Sequence, residues 1–362
     1  MKIATQHLPQ ELITEILLRL PVKSLIRFKA VCKFWCSLIS DTHFARSHFE
    51  LAPPRLVINT FSDIYTMDLD GSHQSNPIFE AINIDLLPIV VRGSCRGFLL
   101  LDCNGSLCLL NPSTHVNKPI PSSSPIYPEG FPHLCGFGYD SSNDDYLVVQ
   151  VCAEPRPSPL WLAHVKLFSL RANMWKYIEG TNLPHMNLSR SRRSELVFHS
   201  GDRIPGLLFN EAIHWLAYDR DKLVNVIIAF DLIEKAFLEI PRPGDLVHDF
   251  SFCKLWVHGN FLSLSVVSEN NTLEIWVMEK YKVQSSWTKS LVLSLSGSAW
   301  HFPICSTKGG NIVMCDISSD KAKLVKYSDK GEQLKHWEYF GFLEFNVPMY
   351  TESMLSLPGA NE

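Results

Sequence analysis

The chain has 362 residues, 46% of them hydrophobic and 19% charged, and its 33 basic and 37 acidic side chains leave a formal net charge of −4. Those figures exclude a disordered tail, a coiled coil, a collagen-like chain and a polyanion-binding protein, while the length allows two or three domains. No apolar run reaches the ~18 residues of a membrane-spanning helix, and the opening MKIATQHLPQEL lacks the apolar stretch of a secretory signal, so the cytosol or nucleus is expected.

Residues 8–44, LPQELITEILLRLPVKSLIRFKAVCKFWCSLISDTHF, read as a string of short helices. Pro9 suits a first helical position, Leu12, Ile13, Ile16, Leu17 and Leu20 recur at three- and four-residue spacing, and Pro21 disfavours helix at Leu20. A second turn carries Leu25 and Phe28. A third helix places Val31, Trp35, Leu38 and Ile39 on one face, and Ser40 or Asp41 is expected to cap a last turn. A head of about forty residues is too small to be comfortably stable alone, and this one has no disulfide or metal to staple it. Leu17, Leu18, Ile26 and Trp35 fall on more than one face, so a three-helix packing leaves apolar side chains pointing outward. A partner surface and a lid packed on the body both account for that. Residues 1–50 hold seven basic and four acidic side chains, +3 against −7 for the remainder, which favours an acidic partner for the head.

From about residue 55 the chain changes to short β-rich runs punctuated by Gly, Asn, Asp and Pro. Six strand–turn–strand units recur at 64–79, 107–121, 165–178, 226–241, 273–291 and 323–339. Aligning Met67, Leu110, Phe168, Phe230, Trp276 and Tyr327 gives spacings of 43, 58, 62, 46 and 51 residues. Asp68, Asn111, Ser169, Asp231 and Ser328 follow five of them as turn formers. Further strand pairs lie between these hairpins, so each unit of about fifty residues holds four strands, the blade of a β-propeller. Six blades fit the length, and the run at 349–357 is expected to pair with residues 55–59 and shut the ring. A stacked sandwich or two smaller β domains is the alternative.

Chemistry-bearing patterns are sparse. Ten cysteines without an export signal are expected to be reduced thiols, the sequons at Asn104, Asn187 and Asn270 unused, and Cys32 and Cys36 core thiols rather than metal ligands. His214 and His301 sit in strand-like runs, where a local hydrogen bond is the expected role. Gly136 and Gly138 are expected to relieve a strand bend, since a dinucleotide loop needs a third glycine and a following helix. Asp144 and Asp145 fit a polar turn. A propeller glycosidase would need a converging carboxylate set, which is not apparent. Arg190, Arg192 and Arg193 form the one basic cluster, inside a long loop. A solvated loop is the default reading. The functional alternative is that these arginines, with Tyr127, Phe131 and Trp161 in the Pro-rich segments 121–134 and 153–163, rim a target-binding face, although each aromatic could equally tuck over a blade end.

Residues 8–44 resemble the F-box, with Leu8, Pro9, Ile16, Leu17, the Arg19-Leu20-Pro21 stop, Ser24, Leu25, Arg27, Val31, Lys33, Trp35, Leu38 and Ile39 in that family's positions. The body is similar to the F-box-associated, kelch-like region of plant F-box proteins. It carries LNPSTH (110–115), GFGYDSSNDDYLVV (136–149), VKLFSLRANMWKYI (165–178) and IWVMEKYKV followed by SSWTK. The resemblance implies a mainly β fold with an N-terminal α-helical segment: a three-helix F-box at 1–50 and a six-bladed kelch-like β-propeller at 51–362. It implies a non-catalytic substrate receptor of a Skp-cullin-F-box ubiquitin ligase, with no metal, cofactor, nucleic acid or membrane. The head would bind a Skp-type linker, and through it a cullin, using Leu8, Pro9, Ile16, Leu17, Leu20, Pro21, Leu25, Val31 and Trp35. The propeller would bind a protein target. An interaction or sugar-binding propeller without ligase recruitment is the other reading.

Overall fold

The computed structural model describes residues 8–59, 64–69, 79–82, 89–103, 105–122, 133–154, 162–178, 186–187, 203–219, 224–244, 246, 252–268, 271–295, 300–317, 321–340 and 348–358. Four helices, not three, form the head: α1 (Gln10–Leu17), α2 (Val22–Phe28), α3 (Lys33–Ser40) and α4 (Thr42–Leu51). Pro9 and Pro21 stand one residue ahead of α1 and α2 in extended conformation, where a missing N–H costs nothing. The fourth helix exists because of Asp41. Its carboxylate accepts the His43 and Phe44 backbone N–H groups at 2.9 and 3.1 Å, so what read as a last turn propagates for ten residues. No described helix is long and apolar enough to cross a membrane.

Among the described residues the rest forms six sheets, antiparallel apart from one added strand. Blade 2 has the plain pattern, Ile89–Cys95, Phe98–Cys103, Ser106–Asn111 and Val116–Pro119 in spatial order. Blades 5 (Phe252–His258 to Trp287–Ser294) and 6 (Trp300–Ser306 to Gln333–Phe340) repeat it. Blade 3 runs from His133–Asp140 to Met174–Ile178, and Arg203–Pro205 adds to its first strand in parallel. In blade 4, Leu207–Phe209 and Met186–Asn187 both pair with Ala212–Asp219, ahead of Val224–Asp231 and Ala236–Ile240. Blade 1 takes its first strand from the far end of the chain: Met349–Thr351 pairs with Pro54–Asn59 in the register Arg55↔Tyr350, ahead of Ile64–Asp68 and Phe79–Ile82. The expected closure and blade count therefore hold, and the sandwich alternative falls.

Each blade-to-blade contact has its own apolar core, and the period-two alternation of the strands feeds two cores at once. In Asp145–Glu154, Tyr146 and Val148 face blade 2 while Leu147, Val149 and Val151 face blade 4. A strand buried on both faces must be apolar at nearly every position, which is why YLVV (146–149) and VIIAF (226–230) read as unbroken hydrophobic runs. The ring is complete because blades 1 and 6 share a core too, built on Leu56, Ile58 and Met67 against Val313, Cys315 and Leu324.

The hairpin turns work as their residue types require. Asn111 Oδ1 accepts the N–H of Ser113 at 2.9 Å, Asp231 Oδ1 accepts those of Ile233 and Glu234 at 2.9 and 3.0 Å, and Ser328 Oγ accepts that of Glu332 at 3.1 Å. Gly136 and Gly138 are a correction. Their strand pairs with its neighbour without a register shift, and the role that shows is close packing: a Cβ at Gly136 would sit 2.5 Å from Ile213 Cγ2 and one at Gly138 2.4 Å from Leu232 Cδ1, so the glycines let blade 4 pack directly on blade 3. Cys32 and Cys36 are a second correction, because both are exposed rather than in the core. Cys32 stands at the start of α3, where its Sγ accepts the Trp35 N–H at 3.5 Å.

Candidate functional site

The head core is small: Leu17, Leu25, Ile39 and Phe44 are buried, with Ile13, Leu20, Phe28 and Trp35 packed around them. Its last member comes from the opposite end of the chain, since Met354, three residues beyond the closing strand, packs into the same cluster. The neighbouring Glu352 carboxylate accepts the Val22 N–H at the start of α2 at 3.1 Å and pairs with Arg55 of blade 1 at 2.7 Å. Ser353 is fixed beneath: its carbonyl accepts from Asn111 Nδ2 at 3.0 Å, and its Cβ lies where a side chain at Gly97 would have to go. Leu355 and Leu357 then enter the core between blades 2 and 3. Residues 348–358 thus form a strap that closes the ring, holds the head and ends inside the body.

This strap fixes which end of the propeller carries the head. In a blade of alternating strands, the turn joining strands one and two and the turn joining three and four lie at the same end. Arg96-Gly97, 141–144 and Asn210-Glu211 are such turns, and a cleft of ≈ 490 Å³ opens between the first two and α4, lined by Arg46, Phe49, Glu50, Arg96, Tyr139, Ser141 and Asp144. Arg96 lies over the Tyr139 ring at 3.9 Å, and the Asp140 carboxylate crosses to Lys235 of blade 4 at 2.5 Å. Burial pushes the Asp140 carboxyl up, but hydrogen bonds from Lys235, Ser142 and Asn143 outweigh that and hold it well below the usual carboxylate range.

The head is packed on the body, as the lid reading expects, and it still leaves apolar side chains pointing outward. With its inner face on the strap, the head keeps an apolar stripe outside: Leu8, Leu12 and Ile16, at i, i+4 and i+8 on and just before α1, are 58%, 50% and 51% exposed. Val31, Ile26 and Phe34 are exposed as well. Of the nine expected linker contacts, Leu8, Pro9, Ile16, Pro21 and Val31 are exposed, and Leu20 and Trp35 are half-buried. Leu17 and Leu25, at 1% and 0% exposure, lie in the head core and reach no outside surface. They hold the scaffold instead. Leu12, Ile26 and Phe34 share this exposure and lie outside the expected set, and Leu12 was legible as the middle member of the Leu8–Leu12–Ile16 spacing.

Tyr127, Phe131, Trp161, Arg190, Arg192 and Arg193 lie outside the described residues. The strand ends that flank them are described. Ile120 after blade 2, Glu154 and Leu162 of blade 3, and Asn187 and Arg203 all stand at the end of the ring away from the head.

Catalytic arrangements are not apparent at the residues singled out earlier. His214 is almost fully buried between Leu207 and Tyr281, whose hydroxyl is 2.7 Å from its Nε2, and burial pushes its pKa down to about 4. Asp145 accepts the Ser169 hydroxyl and the Arg171 N–H, which ties two turns of blade 3 together. Among the described residues, no group of three or more His, Cys, Asp or Glu side chains is placed to hold a metal ion.

A family model described as an F-box associated beta propeller domain matches residues 55–346, and one described as an F-box domain matches residues 6–47. F-box protein CPR1 of Arabidopsis thaliana is 28% identical over 338 residues, covering 87% of this chain and 80% of its own. An F-box/kelch-repeat protein of the same plant is 30% identical over 80% of each chain, and a putative F-box protein of that plant is 34% identical over 97% of each.

Proposed function

The chain belongs to the plant F-box proteins that carry an F-box associated beta propeller domain, and from that premise we propose that it is the target-recognition adaptor of a Skp-cullin-F-box ubiquitin ligase. The head docks on a Skp-type linker, and through it on a cullin. The propeller holds a protein target so that it is ubiquitinated and degraded. The work is positional rather than catalytic: holding a target beside a charged conjugating enzyme raises its effective concentration.

The observation that carries the reading is the stripe Leu8–Leu12–Ile16, with Val31 and Phe34, left exposed by a head whose other side is committed to the strap. Each such side chain contributes on the order of 1 kcal/mol when its exposed half is covered, and the head's basic Lys23, Arg27, Lys29 and Lys33 favour an acidic partner. The target is taken at the other end of the ring, where the connections carrying Tyr127, Phe131, Trp161 and the three arginines begin and end. Action in the cytosol or nucleus follows from the same reading.

Co-purification of the full chain with a Skp-type linker tests it. The unaltered protein binds, and Ile16→Asp combined with Val31→Asp abolishes binding while the melting temperature of the body is unchanged. Failure of the unaltered, folded protein to bind any such linker would defeat the proposal.

A further inference from the structure

Cys103 ends the second strand of blade 2 and Cys108 lies in the third. The register sets Cys103 opposite Ser106 and Leu101 opposite Cys108, so the two cysteines are diagonal neighbours on one face of the hairpin. Their Sγ atoms are 3.7 Å apart. Asp102, between them in register, fixes the strand end: its carboxylate accepts the Gly105 N–H at 2.9 Å and pairs with Arg92 at 3.1 Å. Gly105 has φ +87°, which suits glycine at this tip.

We propose that Cys103 and Cys108 are a reversible thiol–disulfide pair, oxidised by a small-molecule disulfide such as oxidised glutathione. Diagonal positions in an antiparallel pair stand roughly 7–8 Å apart at Cα, just beyond the ~4.4–6.8 Å that an unstrained disulfide spans. Side-chain rotation with a slight tightening of the hairpin closes that gap, and the strain left in the bond makes it easy to reduce. Accessibility assigns the order of events. Cys103 is half-buried and reachable, whereas Cys108 is 7% exposed.

The Cys103 thiolate attacks one sulfur of the oxidant, the other leaves as a thiolate and takes up a proton, and a mixed disulfide forms on Cys103. Cys108 then loses its proton and attacks the Cys103 sulfur, which expels the second glutathione as a thiol. In sum, two protein S–H bonds are exchanged for one S–S bond, and one oxidant disulfide becomes two thiols. Burial pushes the Cys103 thiol up and the Cys108 thiol up to about 12, so exchange is slow in its first step and depends on proximity in its second. The hairpin tip belongs to the end of the ring away from the head, so oxidation stiffens that end.

The test equilibrates the full chain carrying Cys32→Ser and Cys36→Ser in glutathione buffers of stepped ratio, traps remaining thiols under denaturing conditions, and reads each cysteine by tandem mass spectrometry. The expected result is a bond between Cys103 and Cys108, seen as a loss of about 2 Da, that excess reduced glutathione fully reverses. Adding Cys108→Ser should leave glutathione stranded on Cys103, and adding Cys103→Ser should leave Cys108 unmodified. The proposal is overturned by both thiols staying free in excess oxidant, by glutathione resting on Cys103 while Cys108 is intact, or by a bond that reduced glutathione does not reverse.

Discussion

Trp287 donates its indole N–H to the carbonyl of Pro241 at 2.7 Å, and Trp175 makes the same bond to Pro121 at 2.6 Å. In each case a tryptophan in the outermost strand of one blade holds the proline that follows the outermost strand of the blade before. Proline suits the position because, with no N–H of its own, it ends the strand and leaves only a carbonyl to satisfy. The pair is an inter-blade latch, made between blades 2 and 3 and again between 4 and 5.

Breaking one latch should cost a hydrogen bond and little else. Trp287→Phe is expected to lower stability by about 1 kcal/mol, read from chemical denaturation with an unchanged m-value. Trp337, the counterpart in blade 6, has no protein hydrogen-bond partner for its indole N–H among the described residues. Trp337→Phe should therefore fall within about 0.5 kcal/mol of the unaltered protein.

Head stability and linker binding should separate. Leu17→Ala empties a site at 1% exposure and is expected to cost about 2–5 kcal/mol in the melting of the head, with binding lost as a consequence. Ile16→Asp, on the adjacent position but outside, should leave the helical circular dichroism signal intact and weaken linker affinity by roughly 30-fold or more in a titration. Equal loss of helicity in both variants would remove the distinction.

Glu352 links α2 to blade 1, so Glu352→Gln should loosen the head without opening the ring. It removes the charge that Arg55 faces and weakens the bond from Val22. The expected cost is about 2 kcal/mol, seen as faster proteolysis between Leu51 and Pro54 while the body keeps its melting temperature. A fall in the body's own stability would place the strap's role in closure alone.

Acid should weaken the fold through His214. Its pKa is about 4 in the folded protein because of burial, against the ordinary value of 6.5 in the unfolded chain. Between those values the unfolded state binds the extra proton, so stability is fully present above pH 6.5 and is lost progressively as the pH falls toward 4. The loss is on the order of 3 kcal/mol. His214→Gln should flatten that part of the stability–pH curve; an unchanged slope would show that another group carries it.

Much of this was legible because the cues are local. Pro9, Pro21 and Asp41 punctuate helices by their backbone chemistry, and Asn111, Asp231 and Ser328 close hairpins with their own side chains, so helical head, six hairpins and propeller could be read in order. Even the closing strand announced itself, since a ring of four-stranded units needs one more strand where the first blade lacks it.

Residues whose role is set by a distant neighbour could not be read that way. Leu12, Ile13, Ile16 and Leu17 form one apolar set by spacing, and only the packing of α2, α3 and Met354 divides them into an inner pair and an outer pair. Gly136 answers to Ile213, and Gly97 to Ser353, across gaps of tens to hundreds of residues. Sequence by itself therefore determined most of the elements and what kind of protein they build, α4 excepted, because propensity, capping and turn chemistry act within a few residues. Tertiary structure alone decided which apolar face stays open and which end of the ring bears the head, because burial depends on what the far end of the chain brings to cover it.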